Sequence, residues 1–342
     1  MHISLRHSIL FIILALLLLL LLVLDFITGS TPLGLSDLFS YWFNSDALND
    51  ETIILIRDFR ITRVVTAVLA GAALALSGLL MQTIFRNPLA GPYVLGISSG
   101  AGFGVALAVM GTSALGINAF GTGGGWPVLI SAAMGSAAVM LVIIAASLKM
   151  RDNVTVLILG MLLGAVVSAL ISIIEYAANS LSLKAYVIWG MGSLSALSYQ
   201  NMILLATVVI PVMLLSFFAG KPLNLFLLGE DYAGMSGVNT KSLRLIVFIL
   251  TCVLAGAVTA FCGPLGFVGI AVPHIARWIF RTQNHFVLIP AVLICGAVFM
   301  LVADILSQRM AATGVLPLNA ITAITGVPVI IYIIIKNQKS YF

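Results

Sequence analysis

Apolar residues run through this chain in blocks about as long as a membrane is thick, with short polar joints between them. A helix needs about 20 mostly apolar residues to cross a bilayer, and blocks of that kind lie near residues 8–27, 61–84, 93–111, 126–148, 154–174, 187–218, 242–260, 265–280, 286–305 and 318–335. The pattern predicts an all-α polytopic membrane protein of about ten transmembrane helices, folded as one transmembrane domain over residues 1–342. The first part of the 187–218 block reads as a short interfacial helix. Glycine and proline break the blocks near 93 and 265; broken backbone at membrane depth is tolerated only inside protein or beside a cavity, so these two are candidate moving parts. The first block, ILFIILALLLLLLLVL, is too long for a signal core and no small-x-small site follows it in DFITGSTPLG, so it reads as an uncleaved span.

Composition agrees: 61% of the residues are hydrophobic and 8% charged, against roughly 25% charged in a soluble domain. With the amino terminus inside and alternating spans, the inner joints hold Arg6, Arg86, Lys149, Arg151, Lys221, Lys241, Arg244, Arg277, Arg281, Lys336 and Lys339, eleven of the 16 basic residues. Arg57, Arg60, Arg63, Lys184 and Arg309 fall outside. This asymmetry places both termini in the cytoplasm. It also accounts for the net charge of +5 without a nucleic-acid partner.

Catalytic constellations are missing: no H-E-x-x-H, no G-x-S-x-G and no paired acids within a span. Cys252, Cys262 and Cys295 lie in or beside apolar blocks, odd in number and never spaced C-x-x-C, which suits core residues rather than a disulfide or metal site. No catalytic residue, metal site or cofactor is expected. Asp25, Glu175 and Asp304 sit toward the outer ends of their spans, which weakens a reading as an ion-driven secondary transporter, where carboxylates lie within the membrane. Without a G-x-x-x-x-G-K-[ST] phosphate loop, uphill transport needs fuel burned by another polypeptide.

The stretch KPLNLFLLGEDYAGMSGVNT, residues 221–240, is where such a partner would push. Pro222, Gly229 and Gly237 punctuate it, and the helix left between the glycines is too short to be stable alone in water. Leu225, Leu227, Leu228 and Met235 are poorly placed on a bare loop. Docking into a soluble partner and folding back onto the chain's own bundle both satisfy this pattern. Small residues at Gly71/Ala75, Ser131/Gly135 and Gly160/Gly164 suit close helix packing. The run GISSGAGFG from Gly96 to Gly104 is denser than packing needs and suits a path or a hinge.

RNPLAGPYVLGISSGAGFG, LNLFLLGEDYAGMSGVN, GPLGFVGIAVPHIAR, LVADILSQ and LPLNAITAITGVPVIIYIIIK together resemble the iron-chelate and cobalamin permease family of bacterial ABC importers, from about residue 57 to 336. The resemblance implies a BtuC-like permease fold in the bacterial inner membrane. It implies a dimer of permease subunits, two ABC ATPase subunits bound inside, and a substrate-binding protein docking outside; a homodimer and a heterodimer both fit. The cargo it implies is a ferric siderophore-type chelate, with cobalamin and haem as alternatives. The family's coupling pattern, LNxxxLGExxAxxxG, falls on Leu223, Asn224, Gly229, Glu230, Ala233 and Gly237, with Glu230 and Ala233 expected in a cleft of the ATPase. Its external docking arginines, R-x-P-R, fall on Arg60 and Arg63, with Thr62 in place of proline. A further docking arginine aligns with Gln308, for which Arg309 is the candidate substitute. By spacing alone such arginines anchor at lipid headgroups. The family's cytoplasmic gate falls on Asn87, Leu89, Asn153 and Val154.

Overall fold

The computed structural model describes residues 5–29, 31, 33–43, 48–111, 126–150, 153–310 and 315–338. Arg151, Asp152 and Lys339 lie outside that set. Among the described residues the chain is helical throughout, in the order α1 (Leu5–Ile27), α2 (Leu35–Phe43), α3 (Asp50–Ile84), α4 (Ile97–Gly111), α5 (Trp126–Lys149), α6 (Asn153–Ala177), α7 (Ser180–Gly190), α8 (Tyr199–Ser216), α9 (Gly220–Leu227), α10 (Glu230–Met235), α11 (Thr240–Cys262), α12 (Val268–Phe280), α13 (His285–Arg309) and α14 (Leu318–Gln338). Among the described residues, seven helices are long and apolar enough to cross a membrane, and three shorter apolar ones, beginning at Ile97, Val268 and Leu318, bring the candidate traverses to the expected ten.

Two boundaries differ from the sequence pattern. The 187–218 block opens with a separate short helix, as expected, but that helix begins seven residues earlier, at Ser180: α7 ends at Gly190, and α8 starts at Tyr199 behind a Ser198 cap on the Asn201 N–H. Asn179, capping α7 through the Ser182 N–H at 2.8 Å, is the start signal, outside the apolar block. The helix expected from residue 61 begins eleven residues earlier, at Asp50, capped by Asn49 and carried through a wide π-helical turn over Leu55–Ile61.

Small residues set the packing. α3 is buried along most of its length between α12 and α13, where a methyl group on Gly71 would lie 2.1 Å from the Gly296 carbonyl oxygen, and one on Gly78 would lie 1.7 Å from that of Gly269. Without side chains there, backbones approach closely and gain dispersion contact where lipid offers no hydrophobic drive. The glycine run of α4 does the same work against α5: Gly100 abuts Gly135 and Gly104 abuts Ser131. That contact explains its density, so the expectation of a path or hinge there gives way to packing. Gly160 and Gly164 of α6 meet the turn before α4.

Candidate functional site

Alternating traverses bring residues 82–90, 221–245 and 277–286 to one end of the bundle, joined by the bonds described below, and Asp25, Arg60, Arg63 and Asp304 to the other. The first end carries the 221–240 segment. α8 continues through a tight turn at Phe217–Ala219 into α9, and Gly229 then swings the chain into α10 with φ +135, a conformation open to glycine alone at little cost. α10 stops at a Schellman turn: the Gly237 N–H bonds to the Gly234 carbonyl and the Val238 N–H to the Ala233 carbonyl, both at 3.0 Å. Gly237, at φ +85, holds the left-handed position this turn requires.

The other coupling-pattern residues are also spent inside the chain. Leu223 is buried. The Asn224 side-chain oxygen accepts from the His285 N–H and ring Nδ1, each at 2.8 Å. Glu230 takes two bonds from Arg244 Nη2, at 2.9 and 3.1 Å, and Arg244 is itself buried. Ala233 is 0% exposed, so it faces the bundle rather than the outside. The outward face is Leu228, Asp231, Tyr232, Met235 and Ser236, with Met235 at 81% exposure. Sequence spacing could not orient a helix of six residues; the structure does.

Beside this segment, α3 ends at Ile84 and the chain passes through Arg86, at φ +45, into Asn87 and Leu89. Asn87 Oδ1 accepts from the Leu89 N–H at 2.9 Å, and His274 bonds to the Pro88 carbonyl at 2.8 Å. Leu89 is exposed. Asn153 opens α6 and Val154 beside it is exposed; the Asn153 side chain lies outside the described set.

At the opposite end, Arg60 is 7% exposed and donates to the carbonyl oxygens of Thr28 and, at 2.7 Å, Thr31. Arg63 grips Asp304 with Nε and Nη2 at 2.6 and 2.7 Å, and the Asp304 side chain is only 2% exposed. Gln308 donates from one amide nitrogen to both Asp25 and Asp304 at 3.1 Å. Neither Arg60 nor Arg63 is therefore a free surface cation: Arg60 ties α3 to the chain just after α1, and Arg63 ties α3 to α13. Arg309 is exposed, with a long 3.5 Å contact to the Thr28 hydroxyl. A cavity of about 190 Å³ opens against the Arg63–Asp304 pair, lined also by Ser193, Ser195 and Leu316. Sequence reasoning missed Asp304 and Gln308 as partners of Arg63 and Asp25, because nothing local signals a pair 241 residues apart. Among the described residues no His, Cys, Asp and Glu side chains gather into a metal site.

The fold and the sequence have counterparts among known proteins. A chain in an inward-facing structure of an ABC transporter assigned to the metal-chelate type matches with a TM-score of 0.82 at 26% identity, covering 96% of this chain and 99% of that one. PsaBC from Streptococcus pneumoniae, at 16% identity and a TM-score of 0.53, covers 80% of this chain and 90% of its own and shares the fold. The hemin transport system permease protein HmuU of Yersinia pestis is 32% identical over 313 residues, 91% of this chain and 92% of the relative. The vitamin B12 import system permease protein BtuC of Salmonella typhi is 32% identical over 296 residues, 86% of this chain and 87% of the relative. The profile of the FecCD transport family matches residues 16–336, and the chain belongs to that family, as a permease subunit of an ABC importer.

Proposed function

We propose that this permease moves a ferric siderophore-type chelate across the bacterial inner membrane, as one transmembrane domain paired with a second copy of itself. Two ABC ATPase subunits press on the 221–240 segment from the cytoplasm, where both termini lie, and a binding protein delivers cargo at the Arg309 end. The observation that carries the energy-coupling part is the exposed apolar row of Tyr232 and Met235 on a helix of six residues, with Leu228 just before it, surface that a monomeric soluble face seldom presents. Motif residues Leu223, Asn224, Gly229, Glu230, Ala233 and Gly237 shape that helix from within, and the row between them meets the ATPase. Arg309 stands at the docking surface, with Arg60 and Arg63 framing it from behind. Asn87, Leu89, Asn153 and Val154 form the cytoplasmic gate.

Haem and cobalamin are the second reading, favoured by the Yersinia hemin and Salmonella vitamin B12 permeases to which the chain is similar. Uptake into proteoliposomes holding the permease with its ATPase and binding protein separates them. ATP-dependent accumulation of a ferric hydroxamate or catecholate, undiminished by excess haemin or cyanocobalamin, is expected. Accumulation of haemin or cyanocobalamin alone would reassign the cargo, and accumulation without the ATPase would reject the importer reading in favour of an ion-coupled carrier.

A further inference from the structure

Two attachments join the 221–240 segment to the last turn of α3. In the first, Arg86 Nη2 donates to the Phe226 carbonyl at 2.8 Å, and its guanidinium lies over the Phe226 ring, 5.5 Å from the centroid, a cation–π contact added to a charge-assisted bond. In the second, His285 bridges α9 and α3: its N–H and Nδ1 meet the Asn224 oxygen, and its Nε2 meets the Thr83 hydroxyl at 2.8 Å. Asn224 donates its amide nitrogen to Asn284 Oδ1 at 2.8 Å, which fixes the direction of the amide. An amide oxygen only accepts, so Nδ1 carries the ring proton; the Thr83 hydroxyl, with a single proton, lies between two acceptors, His285 Nε2 and the Leu79 carbonyl at 2.9 Å. His285 and Thr83 are both buried, where an unmade hydrogen bond is costly, so this bridge resists being pulled apart.

The backbone at Arg86 gives the first attachment a reason. α3 closes with a Schellman turn, Arg86 N–H to the Thr83 carbonyl and Asn87 N–H to the Gln82 carbonyl, both at 3.2 Å. Arg86 thereby occupies the left-handed position that glycine fills most readily. Arginine is strained there, and it supplies what glycine lacks, a side chain reaching Phe226. Directly beyond it come Asn87 and Leu89. Any displacement of α9 therefore reaches the root of that loop at two points, Thr83 and Arg86, one helical turn apart.

We infer that Arg86, His285 and Thr83 are positioning residues that transmit movement of the 221–240 segment to the 87–89 loop; this rests on the coupling role proposed above. The test uses the whole complex, permease with its ATPase in lipid nanodiscs, with the native cysteines replaced by alanine and a nitroxide on Leu89→Cys in both copies. The distance between labels is measured without nucleotide and with ATP and vanadate. Arg86→Gly keeps the turn and removes the tether; Thr83→Val removes the second bond at nearly equal volume. The double variant is expected to keep its ATPase through size exclusion but to lose the nucleotide-dependent distance change, and Arg86→Lys, which still reaches the carbonyl, is expected to retain it. A full distance change in the double variant overturns the link. So does loss of the ATPase from the double variant alone, which would make these contacts part of the docking surface. Failure of the unaltered permease to hold an ATPase would instead sink the coupling reading itself.

Discussion

Replacing Arg63 with methionine removes the cation bonded to Asp304 and leaves a carboxylate that is 2% exposed with one amide donor, from Gln308, and a second carboxylate, Asp25, sharing that donor. Breaking a buried pair from one side costs about 3–5 kcal/mol, because the remaining charge keeps its desolvation penalty without its attraction. Replacing both partners removes that penalty, so Arg63→Met with Asp304→Leu should stand within about 1 kcal/mol of the parent. The coupling between the two positions is then about 3 kcal/mol, far above the few tenths by which independent sites fail to add. Unfolding in mixed micelles with increasing dodecyl sulfate, followed by the fluorescence of the four tryptophans, measures both variants and their cycle. Equal destabilisation of the single and double variants would refute the argument, since it would mean that the ion pair is not what makes Arg63 matter. The same double variant asks about docking: if it folds and binds the substrate-binding protein at parental affinity, Arg63 serves only the frame.

Other substitutions test the packing and the inner segment. Gly78→Ala should destabilise by about 1–3 kcal/mol in the same unfolding assay, because its methyl meets backbone of α12 and overpacking outweighs the gain in helix propensity; Gly190→Ala, with nothing within 4 Å, should be neutral or better. Gly237→Ala forces a left-handed alanine at the end of α10 and should cost about 1 kcal/mol, seen as faster hydrogen exchange across residues 230–238. Glu230→Gln removes the charge paired with buried Arg244 and, Glu230 being partly exposed, should cost about 1–2 kcal/mol, read as greater protease sensitivity of the segment. Ala233→Arg should open the segment to protease outright, whereas Met235→Arg should weaken ATPase binding with protease resistance unchanged.

The spans were legible because long apolar runs admit few alternatives in a membrane. What escaped the pattern did so for local reasons. Five charges between Asp50 and Arg60 hide the first turns of α3, which the Asn49 cap and the packing of fully buried Ile56 stabilise all the same. The break between α7 and α8 turns on Gly192 at φ +72 and the Ser198 cap, whereas the start of α7 at Ser180 rests on the Asn179 cap, outside the apolar block. Asp25, Asp304 and Arg63 each looked like a span-end charge facing water or headgroups; only the three-dimensional packing of α1, α3 and α13 shows Arg63 held by Asp304 and Asp25 joined to that pair through Gln308.

The coupling pattern itself gains a different meaning once each position has a partner. Asn224 holds His285, Gly229 makes a turn open to glycine, Glu230 holds Arg244, Ala233 fills a space with room for a methyl group, and Gly237 closes the Schellman turn. Every one of these is a requirement of the chain's own geometry, so the residues that a family pattern fixes here describe a frame. Among the positions it leaves free, Asp231, Tyr232, Met235 and Ser236 face outward, as does the pattern's own Leu228. Affinity for a particular ATPase should then travel with those five residues: exchanging them for the corresponding five of a related permease should exchange ATPase preference in a competition pull-down while leaving stability within about 0.5 kcal/mol, as expected of exposed positions. A swap that leaves the preference unchanged would place recognition elsewhere on the surface and return the pattern residues to the role of contacts.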